Sequence, residues 1–303
     1  MRIFKLITSL SFAVLLLSCN KDKNDYDAIG SFEATEIIVS SQANGSILEL
    51  NVEEGQQLQA GQIVGYIDST QLHLQKMSLL SNARGVRAQA PNISTQTAAI
   101  EEQISTLERE RKRVQSLLEA NAANQKQLDD INSQLDVLKR QLAATKSSLQ
   151  KSSASVSAQS SSIDIQVAQL DDQIEKTKIT SPVDGTVLNR YAQKGELATM
   201  GKPLFKVADI SIMYLRAYVT NDQLAKLKLN DRVTVRVDDG EGNMRSFEGT
   251  INWISNKSEF TPKTIQTKNE RANLVYAIKV AVPNDGYIKI GMYGEVVFDG
   301  QPS

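Results

Sequence analysis

The sequence predicts an α+β chain in which a long antiparallel coiled-coil α-hairpin is inserted into one split β domain and a further β region follows. Three observations predict it. A seven-residue aliphatic ladder (Leu72, Leu79, Val86, Ile93, Ile100, Leu107, Val114) is answered by a second ladder: Leu128, Ile131, Leu135, Leu138, Leu142, Leu149, Val156, Ile163, Val167, Leu170, Ile174. A glycine-punctuated β phrase stands once before the ladders and once after them. Residues 209–282 then read as further strands.

The chain has 303 residues, a formal charge of −1 and 5% aromatics. That length allows two or three domains. Near-neutral charge argues against nucleic acid as the main partner, because phosphate binding needs a basic face. So few aromatics imply small globular cores. At the N-terminus, Arg2 and Lys5 precede an apolar run from Leu6 to Leu17, too short for a bilayer span and patterned as a secretory signal over residues 1–18. The run ends in Leu16-Leu17-Ser18-Cys19, similar to a bacterial lipobox, and Cys19 is the only cysteine. Cys19 is therefore the expected lipidation site. The blander alternative is a plain signal peptide with an incidental cysteine. Residues 19–30 read as a polar tether, and no disulfide can form within the chain.

In residues 31–69, Glu36-Ile37-Ile38-Val39, Gly45 to Leu50 and Gly61 to Ile67 alternate aliphatic residues between turn glycines, which predicts a small β-sandwich or barrel. The phrase returns after the ladders. Asn44-Gly45-Ser46-Ile47-Leu48, Gly55 and Gly61 correspond to Asp184-Gly185-Thr186-Val187-Leu188, Gly195 and Gly201, with spacings of ten and then six residues between glycines in both copies. One copy on each side of the ladders implies a single β domain made of two pseudo-symmetric halves, 31–69 and 178–208.

The ladders occupy residues 70–177. Steps of seven, or of three plus four, put side chains on one helical seam. Two seams joined at about 119–124 give arms of about 50 residues, or roughly 75 Å. Gly85 and Pro91 fall inside the first arm. An interior proline costs about 3 kcal/mol, so a kink or a break is expected near 85–91, and the unbroken phase of the ladder favours a kink. The serine-rich stretch Ser147 to Ser162 keeps the apolar beat at Leu149 and Val156 and reads as thin helix rather than linker. Beyond the second β half, strand-like runs fall at 211–219, 232–237, 247–254 and 274–280, with one helical turn from Asn221 to Leu227 that Asn221 is placed to cap.

The split repeat with its inserted hairpin resembles the biotinyl/lipoyl fold as it is divided in the periplasmic adaptor (membrane fusion protein, HlyD-like) family. Ile179-Thr180-Ser181-Pro182-Val183-Asp184-Gly185-Thr186-Val187 is similar to that family's second half-motif. The run Glu259 to Thr267 with Glu270-Arg271 is similar to adaptors of the YbhG type, which work with ABC exporters. The resemblance implies that residues 209–303 form a β-barrel domain and its membrane-proximal end. It also implies assembly as trimers or hexamers.

Catalysis finds little support. His73 is the only histidine, no cysteine lies near it, and a solvated helical residue is the simpler reading. Gly195 to Lys202 has five residues between its glycines rather than four, and Pro203 stands where a phosphate loop needs Ser or Thr. A lipoyl fold raises the alternative of a swinging-arm carrier, but Asp68-Ser69-Thr70 has no lysine where a carrier presents one. No cofactor or metal site is expected. Adaptors that dock TolC-like ducts carry an Arg, a Leu four residues on and a Ser seven further; here Arg113 and Leu117 match and Asn124 departs from the Ser. Asn124 with Gln127 also reads as a capping box opening the second arm. The charged runs Glu101-Glu102 and Glu108 to Lys112 either pair between neighbouring rods or are solvated faces, and the solvated reading is the simpler.

The resemblance thus implies a lipid-anchored periplasmic adaptor of a Gram-negative bacterium. It would link an inner-membrane transporter, expected to be of ABC type, to a TolC-like outer-membrane protein. Adaptor for a proton-driven RND-type pump is the first alternative, and a structural envelope lipoprotein with a coiled-coil spacer is the second.

Overall fold

The computed structural model describes residues 26–240, 242–260 and 274–298. Cys19 with the signal and most of the tether, and residues 261–271 of the YbhG-like run, lie outside the described residues. The fold class is the α+β class that the sequence predicts: a helical hairpin, a split β domain and a closed barrel.

The split domain holds two four-stranded sheets. Strands β2 (Glu36–Ser40), β4 (Gln57–Leu58), β7 (Gly185–Arg190) and β9 (Pro203–Ala208) form one, in the order β2-β9-β7-β4. Strands β3 (Gly45–Leu50), β5 (Ile63–Ile67), β6 (Lys178–Thr180) and β8 (Leu197–Ala198) form the other, in the order β6-β5-β3-β8. β2, β4 and β5 pair with β9, β7 and β6, and β3 pairs with β8 as well as β5, so the two repeats are interleaved. The core between the sheets, which includes Ile47, Val52, Ile67, Val187, Leu204 and Phe205, draws on both. The repeat is visible bond by bond. Gly55 N–H donates to the Val187 carbonyl and Gly195 N–H to the Ile47 carbonyl, both at 2.8 Å; Gly61 donates to Ser181 and Gly201 to Ser41, also at 2.8 Å. Both Gly55 and Gly195 sit at φ 88°, a left-handed conformation that glycine adopts without a Cβ penalty.

The hairpin is α1 (Thr70–Ala88), α2 (Ile93–Glu119) and α3 (Gln125–Glu175). Every rung of both predicted ladders is buried or half-buried. The first arm is broken rather than kinked, which corrects the favoured expectation. Pro91 has no N–H to give the helix, its ring clashes with the carbonyl four residues back, and the residue before it is pushed out of the helical region. α1 therefore ends at Ala88, closed by Gln89 N–H to Val86 O at 3.0 Å and Ala90 N–H to Arg87 O at 3.1 Å. Asn92 then caps α2, its Oδ1 accepting from Thr95 N–H at 3.2 Å. Both α1 and α2 pack on the unbroken α3.

The barrel closes in the order β1-β10-β13-β12-β11-β14. Its strands are β1 (Ala28–Glu33), β10 (Ile212–Val219), β11 (Arg232–Gly240), β12 (Asn243–Phe260), β13 (Leu274–Pro283) and β14 (Tyr293–Phe298), with a short helix α4 (Asn221–Leu224) between β10 and β11. Strand β1 differs from the sequence reading, which gave residues 28–30 to the tether and 31–33 to the split domain. Ala28 and Phe32 point into the barrel core, and Gly30 lies so close to β10 that a Cβ would stand 2.0 Å from the Arg216 carbonyl oxygen. α4 is capped by Thr220 rather than Asn221, with Gln223 Oε1 accepting from Thr220 N–H at 2.9 Å. β14 completes the barrel by pairing with both β1 and β11.

Candidate functional site

The hairpin tip is built by two helix-end devices. α2 closes with Asn121 in the left-handed region at φ 59°, Asn121 N–H donating to Leu118 O at 2.9 Å and Ala122 N–H to Leu117 O at 2.8 Å. This pair of bonds is a Schellman motif with asparagine in place of the usual glycine. Asn124 opens α3, its Oδ1 accepting from Lys126 N–H at 3.1 Å. The predicted partner, Gln127, instead gives its backbone N–H to the Asn124 carbonyl at 3.0 Å. Asn121 is the tip residue that the sequence reading missed. The available signal was an asparagine just past the last helical residue.

Arg113 and Leu117 lie one helical turn apart on α2, on one face of the arm just below the tip. Both are exposed, Leu117 at 42%. Glu110 Oε1 accepts from Arg113 Nη2 at 2.5 Å, and this bond raises the guanidinium pKa further. The guanidinium keeps donors for a partner, because five N–H groups exceed what one carboxylate takes. Asn124 stands across the turn, with its side chain engaged in the cap. The structure thus brings a cation, an apolar side chain and a helix cap to one end of the rod.

Along the shaft, the charged runs do more than face solvent. Glu101 and Glu108 pair across the hairpin with Lys146 at 2.7 Å and Lys139 at 2.9 Å, and those bonds lower both carboxyl pKa values. Lys76 meets Asp171 at 2.5 Å, and Arg87 meets Asp164 at 2.7 Å. Arg109 keeps to its own helix, against Glu102 at 3.5 Å, as Arg113 does against Glu110. From the Lys76 pair to the Glu101 pair, and again to the Glu108 pair, the two arms advance by equal numbers of residues in opposite directions, so these three pairs share one register across the break, while the Arg87 pair is offset by four residues, about one helical turn.

At the root, Asp68 occupies the place where a carrier would present its lysine. Its Oδ1 accepts from Thr70 N–H at 2.9 Å and Thr70 Oγ1 at 2.6 Å, bonds that hold its carboxyl below the usual range. His73 is exposed on α1. Among the described residues, no group of three or more His, Cys, Asp or Glu is placed to hold a metal ion.

A family model described as the RND MFP barrel-sandwich hybrid domain matches residues 35–210. A UPF0194 membrane protein of Acidithiobacillus ferridurans is 33% identical over 117 residues, which cover 38% of this chain and 34% of that protein. A UPF0194 membrane protein of Citrobacter koseri is 26% identical over 129 residues, 42% of this chain and 38% of that protein. The match spans little more than a third of the length of these curated relatives. Among solved structures, MacA from Actinobacillus actinomycetemcomitans superimposes with a TM-score of 0.52 at 22% identity, covering 89% of this chain and 76% of MacA. The membrane fusion protein Spr0693 from Streptococcus pneumoniae gives 0.50 at 16% identity, covering 90% and 98%.

Proposed function

We propose a function from one premise: the chain belongs to the membrane fusion protein family, whose barrel-sandwich hybrid domain matches residues 35–210 of its 303. On this reading it is a periplasmic adaptor of a tripartite efflux or secretion system in a Gram-negative bacterium. Acyl chains on Cys19 hold it at the inner membrane, several copies assemble into a ring, and the hairpin reaches a TolC-like outer-membrane duct. It has no turnover of its own, and its effect on transport comes through contact and gating.

The observation that carries this reading is the reach of the hairpin. α3 runs unbroken for 51 residues, about 75 Å, from the split domain to an exposed tip that bears Arg113 and Leu117. A rod of that length serves to span a gap. One tip offers few contacts, and a ring of tips multiplies them. The inner-membrane partner is an ABC exporter, on the similarity of the 259–271 run to YbhG-type adaptors. The description of the matching family model names RND systems, and that favours a proton-driven pump as the second reading.

A mild-detergent pull-down of the tagged, acylated chain, with crosslinking and mass spectrometry, tests it. Recovery of an ABC permease with its ATPase and a duct is the expected result. A proton-driven pump in their place would replace the partner and keep the adaptor. Neither transporter nor duct after crosslinking would leave a spacer lipoprotein as the better account.

A further inference from the structure

The two ends of the barrel differ in what they carry. Antiparallel pairing puts the start of β1, the end of β10, the start of β13, the end of β12, the start of β11 and the end of β14 at one end. The other end receives the crossings to the split domain, Ala34–Thr35 and Asp209–Ser211. The first end is therefore the one remote from the split domain and the hairpin. Leu224, the last residue of α4, and Leu227 just after it pack against the barrel core, and Gln223 Nε2 donates to the Asp27 carbonyl at 2.6 Å.

Outside that plug, three large apolar side chains are left in the open: Phe260 at 79% exposure, Leu229 at 57% and Leu274 at 51%. Phe260 and Leu274 are direct cross-strand partners. Lys226, Lys228 and Arg232 are exposed within three residues of Leu229 along the chain, and exposed Lys257 is three residues from Phe260. The carboxylates nearby are Asp27, Asp222, Asp231 and Glu259. Asp27 accepts from Phe298 N–H at 2.8 Å and Asp231 from Lys228 N–H at 2.7 Å, and Glu259 pairs with Arg216 at 2.8 Å, so three of the four are engaged within the chain. The chain enters this same end at Ala28, nine residues after Cys19. Nine residues reach about 30 Å at most.

We propose that this end of the barrel rests on a phospholipid surface, with Leu229, Phe260 and Leu274 in the headgroup–acyl boundary and the four cations among anionic headgroups. The proposal rests on the lipid-anchored reading above, since the short tether is what brings this end to a bilayer. Acyl chains on Cys19 hold the chain at the bilayer, and exposed apolar groups beside cations are the pattern that suits the interface the short tether brings within reach.

The test uses the full acylated chain reconstituted into phosphatidylcholine vesicles containing phosphatidylglycerol. Acylation consumes the native thiol, so the variants Leu229→Cys, Phe260→Cys and Tyr293→Cys each take one thiol-reactive fluorophore. Tyr293 is the control. It is 70% exposed but lies at the opposite end of the barrel, about 20 Å away for a six-residue strand. Brominated lipids are expected to quench the probes at 229 and 260 about twofold or more beyond the probe at 293. Equal quenching at all three sites overturns the proposal. So does quenching at 229 and 260 that arises only when a transporter is reconstituted as well, because that assigns the surface to a protein partner. The mass of the N-terminal peptide reports acylation separately. An acylated but unquenched chain sinks only this proposal, whereas an unacylated Cys19 removes the anchor reading and this proposal together.

Discussion

Gly55 N–H donates to the Val187 carbonyl at 2.8 Å, and across the pseudo-dyad Gly195 repeats the bond to Ile47 at the same length. Each half of the split domain thus ties off the turns of the other. The hairpin between them is a covalent clamp on a β domain that neither half builds alone.

The repeat predicts matched energetics. Asn44 Oδ1 accepts from Met200 N–H and Asp184 Oδ1 from Ala60 N–H, both at 2.8 Å. Asn44→Ala and Asp184→Ala should each destabilise the fold by about 1 kcal/mol, the usual net worth of one such hydrogen bond. Denaturant titration of the soluble chain checks this. Two clearly unequal losses would show that the symmetry is geometric only.

The break in the first arm leads to a second prediction. The ladder keeps its phase from Val86 to Ile93, and three of the four inter-arm ion pairs keep one register across the break. Pro91→Ala should let α1 and α2 join, raising helical ellipticity without loss of stability. Asn92→Ala, which deletes the cap but leaves the proline, should cost about 1 kcal/mol. A large destabilisation by Pro91→Ala would mean that the interrupted geometry is itself needed.

What the sequence made legible follows from range. The ladders are local periodic signals, and every rung proved to be buried or half-buried. The repeat was legible because its glycines mark turns that nothing else fits as well. Between the ladder rungs, Ala83 and Thr97 are wholly buried at the same seam, yet a search for aliphatic residues passes over them. Strand β1 was missed because its partners lie far along the chain, and six residues with a glycine carry too little alternation to declare a strand. At the tip, Arg113 and Leu117 were singled out by family resemblance alone, while the Asn121 turn needed backbone geometry.

Acidification should loosen the shaft. The Glu101 and Glu108 carboxyls titrate below their ordinary value because Lys146 and Lys139 donate to them. A carboxylate with a depressed folded pKa contributes stability that is fully present above its unfolded pKa and is lost as pH falls through the folded one. The inter-arm pairs should therefore hold at neutral pH and fail only below the normal glutamate range. Glu101 is exposed and Glu108 half-buried at the surface, so the effect should be small and screened by salt. Hydrogen exchange in α2 across that pH window should show faster opening at low pH, and Glu101→Gln with Glu108→Gln should abolish the difference.

The tip allows folding and docking to be separated. Arg113 is exposed and its pair with Glu110 is a surface pair of little net worth, so Arg113→Ala should leave the melting temperature unchanged. Leu117→Ser keeps the Leu117 carbonyl that closes the Schellman motif and should also fold normally. If the tip docks a duct, both variants should lose export while accumulating to normal levels. Asn124 behaves differently because its side chain caps α3. Asn124→Ala should cost about 1 kcal/mol at the tip, and Asn124→Ser, which can still cap, should recover most of it. Export and tip hydrogen exchange measured on the four variants check this. Export retained by both Arg113→Ala and Leu117→Ser would remove the tip from the contact and leave Asn124 as a helix cap alone.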